Sequence, residues 1–151
     1  MMIIKVFILL INILPMQKKF PFQELKVMDV FYEFTQEIEN DPDAELELIV
    51  DFNAIYVEGQ TVNCKLEFIG LSSSEIEEKV FSDGYRFDEG DEIEPSSIYI
   101  ASVHNPVDLK FLKIERMKNE EVVTVELYFD FEYEGTDYKN GLFELQFRKK
   151  I

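Results

Sequence analysis

Apolar and polar residues alternate with period two over much of this chain. In "ELELIVDFNAIYV", residues 45–57, the even positions Leu46, Leu48, Val50, Phe52, Ala54 and Tyr56 are all apolar. In "TVNCKLEF" the even positions Val62, Cys64, Leu66 and Phe68 repeat the pattern. Successive side chains of a strand point to opposite faces, so each run predicts a strand with one buried face. Directly opposed residues share a face, so even positions pair with even and the connection has an odd number of residues. A three-residue loop Val57-Glu58-Gly59 satisfies this, with Gly59 where a positive φ is needed.

The C-terminal part obeys the same rule on odd positions. "VVTVELYFDFEY" puts Val123, Val125, Leu127, Phe129, Phe131 and Tyr133 on one face, and "GLFELQFR" returns with Phe143, Leu145 and Phe147 after the turn "EGTD". "DLKFLKIERMK" changes parity between Phe111 and Leu112, which predicts a bulge. "SSIYIASV" reads as a shorter strand ending at the turn "HNP". "SSSEIEEKVF" carries Ser-x-x-Glu at Ser72/Glu75 and Ser74/Glu77, a capping-box signature for a short helix.

One stretch has a helical spacing. In "QELKVMDVFYEFTQEIEN", Val27, Phe31, Phe34 and Ile38 recur at four, three and four, and "NDPD" at 40–43 supplies a stop. This predicts an amphipathic helix over about 23–39; alternation of Met28, Val30, Tyr32 and Phe34 is the rival strand reading. The expected fold is α+β: about six antiparallel strands in hairpins and a meander, covered by the N-terminal amphipathic helix, plus one short helix.

Length and composition set the frame. At 151 residues, 46% apolar, with 14 Phe and 7 Tyr, the chain is expected to be one domain with a substantial core. A single cysteine cannot form an intramolecular disulfide. Residues 1–15, "MMIIKVFILLINILP", stand apart as an apolar N-terminal segment, with residues 16–151 as the domain. Its apolar run, 3–14, is too short to span a bilayer. It imitates a signal peptide but "LPMQKK" offers no small-residue cleavage site, and Met16 is an alternative start.

Charge changes the picture most. There are 31 acidic and 15 basic residues, a net charge of −16. Residues 24–94 hold 21 acids against four bases, so the imbalance is concentrated in the first two thirds. Such a surface repels phosphate backbones and anionic lipid, which argues against nucleic acid and against a membrane unless residues 1–15 anchor it. A basic protein partner suits it.

The densest aromatic-bearing acidic stretch is "FSDGYRFDEGDEIEP", residues 81–95. An EF-hand loop requires oxygen ligands at positions 1, 3 and 5, Gly at 6 and Glu at 12. Counting from Asp83 puts Tyr85, Phe87 and Asp88 at 3, 5 and 6; counting from Asp88 puts Tyr99 at 12. Both registers fail. The stretch instead suggests a docking arm, with Tyr85 and Phe87 as anchors among Asp88, Glu89, Asp91 and Glu92. Outward carboxylates on strands extend the acidic surface: Glu45, Glu47 and Asp51 on one, and Glu126, Asp130, Glu132 and Glu134 around Tyr128 on another. The candidate partner-binding set is Tyr85, Phe87, Asp88, Glu89, Asp91, Glu92, Tyr128, Asp130 and Glu132.

Catalytic signals are weak. The lone His104, beside Asn105-Pro106, is expected in a turn and cannot build a zinc site alone. Cys64 lies on the apolar parity of its strand and reads as core. No phosphate loop, nucleophile elbow or His-Glu-x-x-His appears, so no cofactor and no metal are expected. In gross character (small, acidic, single-domain, β-rich and free of such motifs) the chain resembles the immunity proteins that bacteria pair with toxins. The resemblance implies a non-enzymatic cytoplasmic inhibitor that occludes a basic toxin, often a nuclease. The alternatives are an exported β-rich cell-envelope protein, with residues 1–15 as its signal, and a carboxylate-dependent hydrolase.

Overall fold

The computed structural model describes residues 17–35 and 44–151. The apolar segment 1–15, Met16, Ile38 and the stop signal at 40–43 lie outside the described residues. After a 3-10 turn at Phe22–Glu24, the strands are β1 (Val27–Thr35), β2 (Ala44–Phe52), β3 (Ile55–Val57), β4 (Gln60–Val62) and β5 (Lys65–Ser72). Helix α1 (Ser74–Val80) follows, then β6 (Tyr85–Arg86), β7 (Ser96–Ile100), β8 (Val103–Arg116), β9 (Glu120–Phe129) and β10 (Gly141–Lys150). Every strand pairing is antiparallel.

Two sheets carry the fold. The smaller has order β1-β2-β5; the larger has order β10-β9-β8-β6, with β7 also paired to β8. β3 and β4 form a separate hairpin. Val30, Leu46, Leu48, Val50, Leu66 and Phe68 of the smaller sheet join Ile98, Val107, Leu112, Ile114, Val123, Val125, Leu127 and Leu145 of the larger in one buried cluster. The fold is therefore mostly β, and the α+β expectation is overturned.

The expected helix over 23–39 is strand β1. Thr35 pairs with Glu45 and Val30 with Val50, and the inward positions are Val30, Tyr32 and Phe34. Phe31 (42% exposed) points outward, as no helix seam through Val27, Phe31 and Phe34 allows, and Met28 (63%) lies at the register shift between Val27 and Asp29. The physical reason is composition: "VMDVFYEFT" is dominated by β-branched and aromatic residues, which lose χ1 freedom in a helix and fit a pleated, half-buried surface. The short helix does form, but its N-cap is Ser73, whose hydroxyl accepts from Ile76 N at 3.2 Å. Neither predicted capping box is used.

The first hairpin keeps its parity in β2 and β5, where Leu48 opposes Phe68 and Val50 opposes Leu66. Between them the chain departs from it. Asn53 breaks β2: its Oδ1 accepts from Lys26 N at 2.7 Å and its Nδ2 donates to Glu24 O at 3.2 Å. Beyond that break Ile55 and Val57 turn inward and Tyr56 is exposed. The turn then has two residues, Glu58 (φ 52°) and Gly59 (φ 77°), rather than three. Positive φ at both central positions matches the right-handed twist of the hairpin.

A second two-residue turn, Ala101 (φ 50°) and Ser102 (φ 67°), joins β7 to β8. His104-Asn105-Pro106 is thus inside β8 and not a turn, because Ala101-Ser102 closes the hairpin first. The bulge in β8 lies between Leu109 and Phe111, after which inward positions shift from Val107 and Leu109 to Leu112 and Ile114. β10 pairs odd with odd on β9, Leu145 opposite Val125. Tyr133 is 68% exposed because β9 ends at Phe129 and the chain turns away. Phe131 remains buried, its ring packed at a tilt against Phe20 (4.9 Å) and Tyr138 (5.6 Å).

Cys64 is 1% exposed, and burial pushes its thiol up to about 11. At pH 8 both inaccessibility and the scarcity of thiolate slow its chemistry. A thiol reagent is expected to label the native protein at least about a hundredfold slower than the urea-unfolded chain. Labelling at comparable rates would remove Cys64 from the core.

Candidate functional site

The acidic segment 81–95 is not a free arm. Tyr85 and Arg86 pair with Leu112 and Phe111 of β8, and Phe87, 5% exposed, belongs to the core. Its side chain is unavailable as a surface anchor. Tyr85 is half-buried and donates its hydroxyl to Asp91 Oδ1 at 2.8 Å. Burial first, then the Asp91 carboxylate, push that phenol up to about 12. Asp91 Oδ2 also accepts from Asp88 N at 2.8 Å, and Asp88 Oδ1 accepts from Gly90 N at 3.0 Å. Two carboxylates are thus spent on the loop's own backbone.

Residues 92–94 then run along the outer edge of β5. Leu71 N donates to Glu92 O and Glu94 N to Ile69 O, both at 2.9 Å. Gly70 makes this approach possible, since a Cβ there would collide with the Glu92 carbonyl and Ile93. The loop is stitched to the smaller sheet, with Asp88, Glu89 and Glu92 left exposed.

The predicted loop residues and Tyr128 come near one another. Asp88, Glu89 and Asp91 line a cleft of about 250 Å³ with Asp108 and Lys110. Asp108 opposes Tyr128, and the Lys110 ammonium lies 5.8 Å from the Tyr128 ring. The Tyr128 hydroxyl accepts from Asn140 at 3.1 Å. Asp130 instead caps the following turn by accepting from Tyr133 N, and Glu132 accepts from Gln17 at 3.2 Å. Among the described residues no group of three or more side chains is arranged to hold a metal ion. His104 packs against the exposed rings of Tyr99 (5.6 Å) and Tyr133 (6.2 Å).

The two sheets differ sharply on their outer faces. On the larger sheet several charges are paired, Arg86 with Glu126 at 2.9 and 3.3 Å, Arg148 with Glu120 at 2.8 Å, and Lys113 with Glu115 at 3.4 Å, although Glu144 sits directly opposite Glu126. On β1-β2-β5 the outward odd positions present Asp29, Glu33, Glu45, Glu47, Asp51 and Glu67 against Lys65 alone. Glu33 sits directly opposite Glu47, and Asp29 opposite Asp51. Such like-charge cross-strand pairs are destabilising. Lys149, reaching across from β10, comes within 3.8 Å of Asp29.

Among these carboxylates lie apolar side chains that sequence reasoning missed. Phe31 (42% exposed), Ile69 (41%) and Leu71 (39%) face outward with the half-buried Ile49. The signal was present at Ile49, Ile69 and Leu71, odd positions that interrupt an otherwise polar face; Phe31 was hidden by the helix reading. Beside them, Glu45, Ile69, Leu71, Glu92, Ile93, Glu94 and Pro95 line a groove of about 450 Å³. The face and the loop form one acidic surface with apolar patches inside it.

No family model, curated protein or solved structure matches the chain.

The crowding has a measurable consequence. Partial desolvation of Glu47, followed by the charge and hydrogen bonding of Glu67 and the charges of Glu33 and Glu45, raises its carboxyl above the usual range. The folded protein therefore holds this proton more readily than the unfolded chain. Stability falls as pH rises from the ordinary glutamate range through the raised value, and the loss is complete above it. Glu47→Gln removes the penalised charge, so its urea midpoint is expected to exceed that of the wild type at pH 7. The gain should shrink below about pH 4, where both states are protonated. A midpoint at or below wild type at pH 7 would show that the carboxylates are not in conflict.

Proposed function

We propose that this chain is a non-enzymatic binding domain for a basic protein, docking through the outer face of β1-β2-β5 and the adjoining 88–95 rim. The observation that carries the reading is that face itself: six carboxylates against Lys65 and, at Asp29, the Lys149 ammonium, with Phe31, Ile49, Ile69 and Leu71 set among them. Like charges held together on strands oppose folding, and a cationic partner relieves that repulsion. The exposed apolar side chains supply contact area that long-range attraction lacks. In the immunity-type reading, the partner is a basic toxin, a nuclease among the candidates, and the acidic face occupies the surface that the toxin presents to phosphates. This role needs no catalytic residue. It favours the cytoplasm, where such an inhibitor protects its own cell. Among the described residues no helix is long and apolar enough to cross a membrane.

The test uses the product of any toxin-like gene adjacent to this one, with association and dissociation followed at several salt concentrations. Neutralising Glu33, Glu47 and Glu67 together to Gln is expected to slow association about tenfold or more and to flatten its salt dependence, since steering is screened over about 8 Å at physiological salt. Phe31→Ala or Leu71→Ala should instead speed dissociation, by about 1–3 kcal/mol. Neutralising Asp88, Glu89 and Glu92 should give a weaker version of the first effect. Rates unchanged by all of these substitutions would place the interface elsewhere.

A further inference from the structure

Resting on the reading above, we propose that the element docking on β1-β2-β5 is a cationic amphipathic helix of the partner protein. Both edges of this sheet are partly occupied, β5 at Ile69 and Leu71 and β1 at Val30. Residues 92–94 bond to β5 through Leu71 N and Ile69 O, and on β1 the Lys149 ammonium reaches Val30 O at 3.4 Å. The Asp29 carboxylate further takes Val30 N at 2.9 Å. A partner strand added to the sheet would have to displace these contacts. The face remains. An extended segment lying across it finds no backbone partners there, whereas a helix satisfies its own N–H and C=O groups.

The pattern on the face fits a helix. Phe31 opposes Ile49 across β1 and β2, and Ile69 and Leu71 continue the line on β5, opposite Glu47 and Glu45. With strands about 4.8 Å apart and about 3.3 Å per residue, this apolar stripe runs about 16 Å. That is the length of about three helical turns. Glu33 and Glu45 flank it on one side and Glu67 on the other, with Glu47 between its two ends and Asp51 beyond the Phe31 end. A helix with apolar residues at i, i+3, i+4 and i+7 and Lys or Arg on both flanks matches stripe and margins together.

The test compares three synthetic Leu/Lys peptides of one composition against the full chain: helix-patterned, alternating, and scrambled. The helix-patterned peptide is expected to bind at least about tenfold tighter than the others and to gain helical circular dichroism on binding. Phe31→Ala with Leu71→Ala should remove most of that preference, while Leu142→Ala, an exposed position on β10 outside the stripe, should leave it intact. Equal binding of all three peptides without induced helix would overturn the helix and leave the cationic docking reading standing. No binding of any peptide at low salt would overturn both. Self-association of the full chain that Phe31→Ala and Leu71→Ala abolish would assign the face to a second copy and overturn the helix.

Discussion

Strand parity is the constraint on which the rest depends. Even positions of β2 and β5 must fill the core, where Leu46, Leu48, Val50, Leu66 and Phe68 are fully buried. Odd positions are then forced to the opposite face, and there is no way to bury one set without presenting the other. The outward set is rich in carboxylates, so the same alternation that builds the core also concentrates negative charge on one side of the smaller sheet. Core burial at roughly 1.5–3 kcal/mol per large side chain outweighs the few tenths to about one kcal/mol that each unfavourable cross-strand pair costs. The face is tolerated because the core is large.

Other parts of the molecule support that face without neutralising it. Tyr32, on the inner side of β1, donates to the buried Glu121 at 2.8 Å and accepts from Arg116 at 3.1 Å, linking the smaller sheet to β8 and β9. The Arg116 guanidinium lies 4.5 Å from the Phe81 ring just after α1. Basic residues of the larger sheet are spent in pairs such as Arg86–Glu126, and among the described residues Lys149 alone pairs across, with Asp29 at the edge of the acidic sheet. The fully buried Asn105 donates to Val103 O at 2.9 Å and Ile98 O at 3.4 Å, fixing β7 against β8.

Much of this was legible in the sequence because period-two alternation is a local signal. The parities of β2, β5, β9 and β10, the bulge in β8, the positive φ of Gly59 and the burial of Cys64 all follow from it. Failures arose where the outcome depended on partners distant in sequence. Residues 27–35 satisfied two periodicities at once, and their β-branched and aromatic composition together with pairing to β2 selects the strand. Asn53 breaks the parity of its run through hydrogen bonds to residues 24 and 26, which no local pattern reveals. Phe87 looked like an exposed anchor because its neighbours are charged, yet β8 and the β5 edge fold the segment inward. The outward carboxylates Glu45, Glu47 and Asp51 were placed correctly; that they meet Glu33 and Glu67 on one surface required the strand order.

We propose the acidic outer face of β1-β2-β5, and not the outer face of the larger sheet, as the docking surface. Backbone amide chemical shifts of the full chain, followed while the helix-patterned Leu/Lys peptide is added, test it most directly. The account predicts saturable shifts confined to residues 29–33, 45–51, 65–71 and 88–94, with the outer face of β8, β9 and β10 unmoved. Shifts centred on β9 and β10, or spread evenly over both sheets, would contradict it.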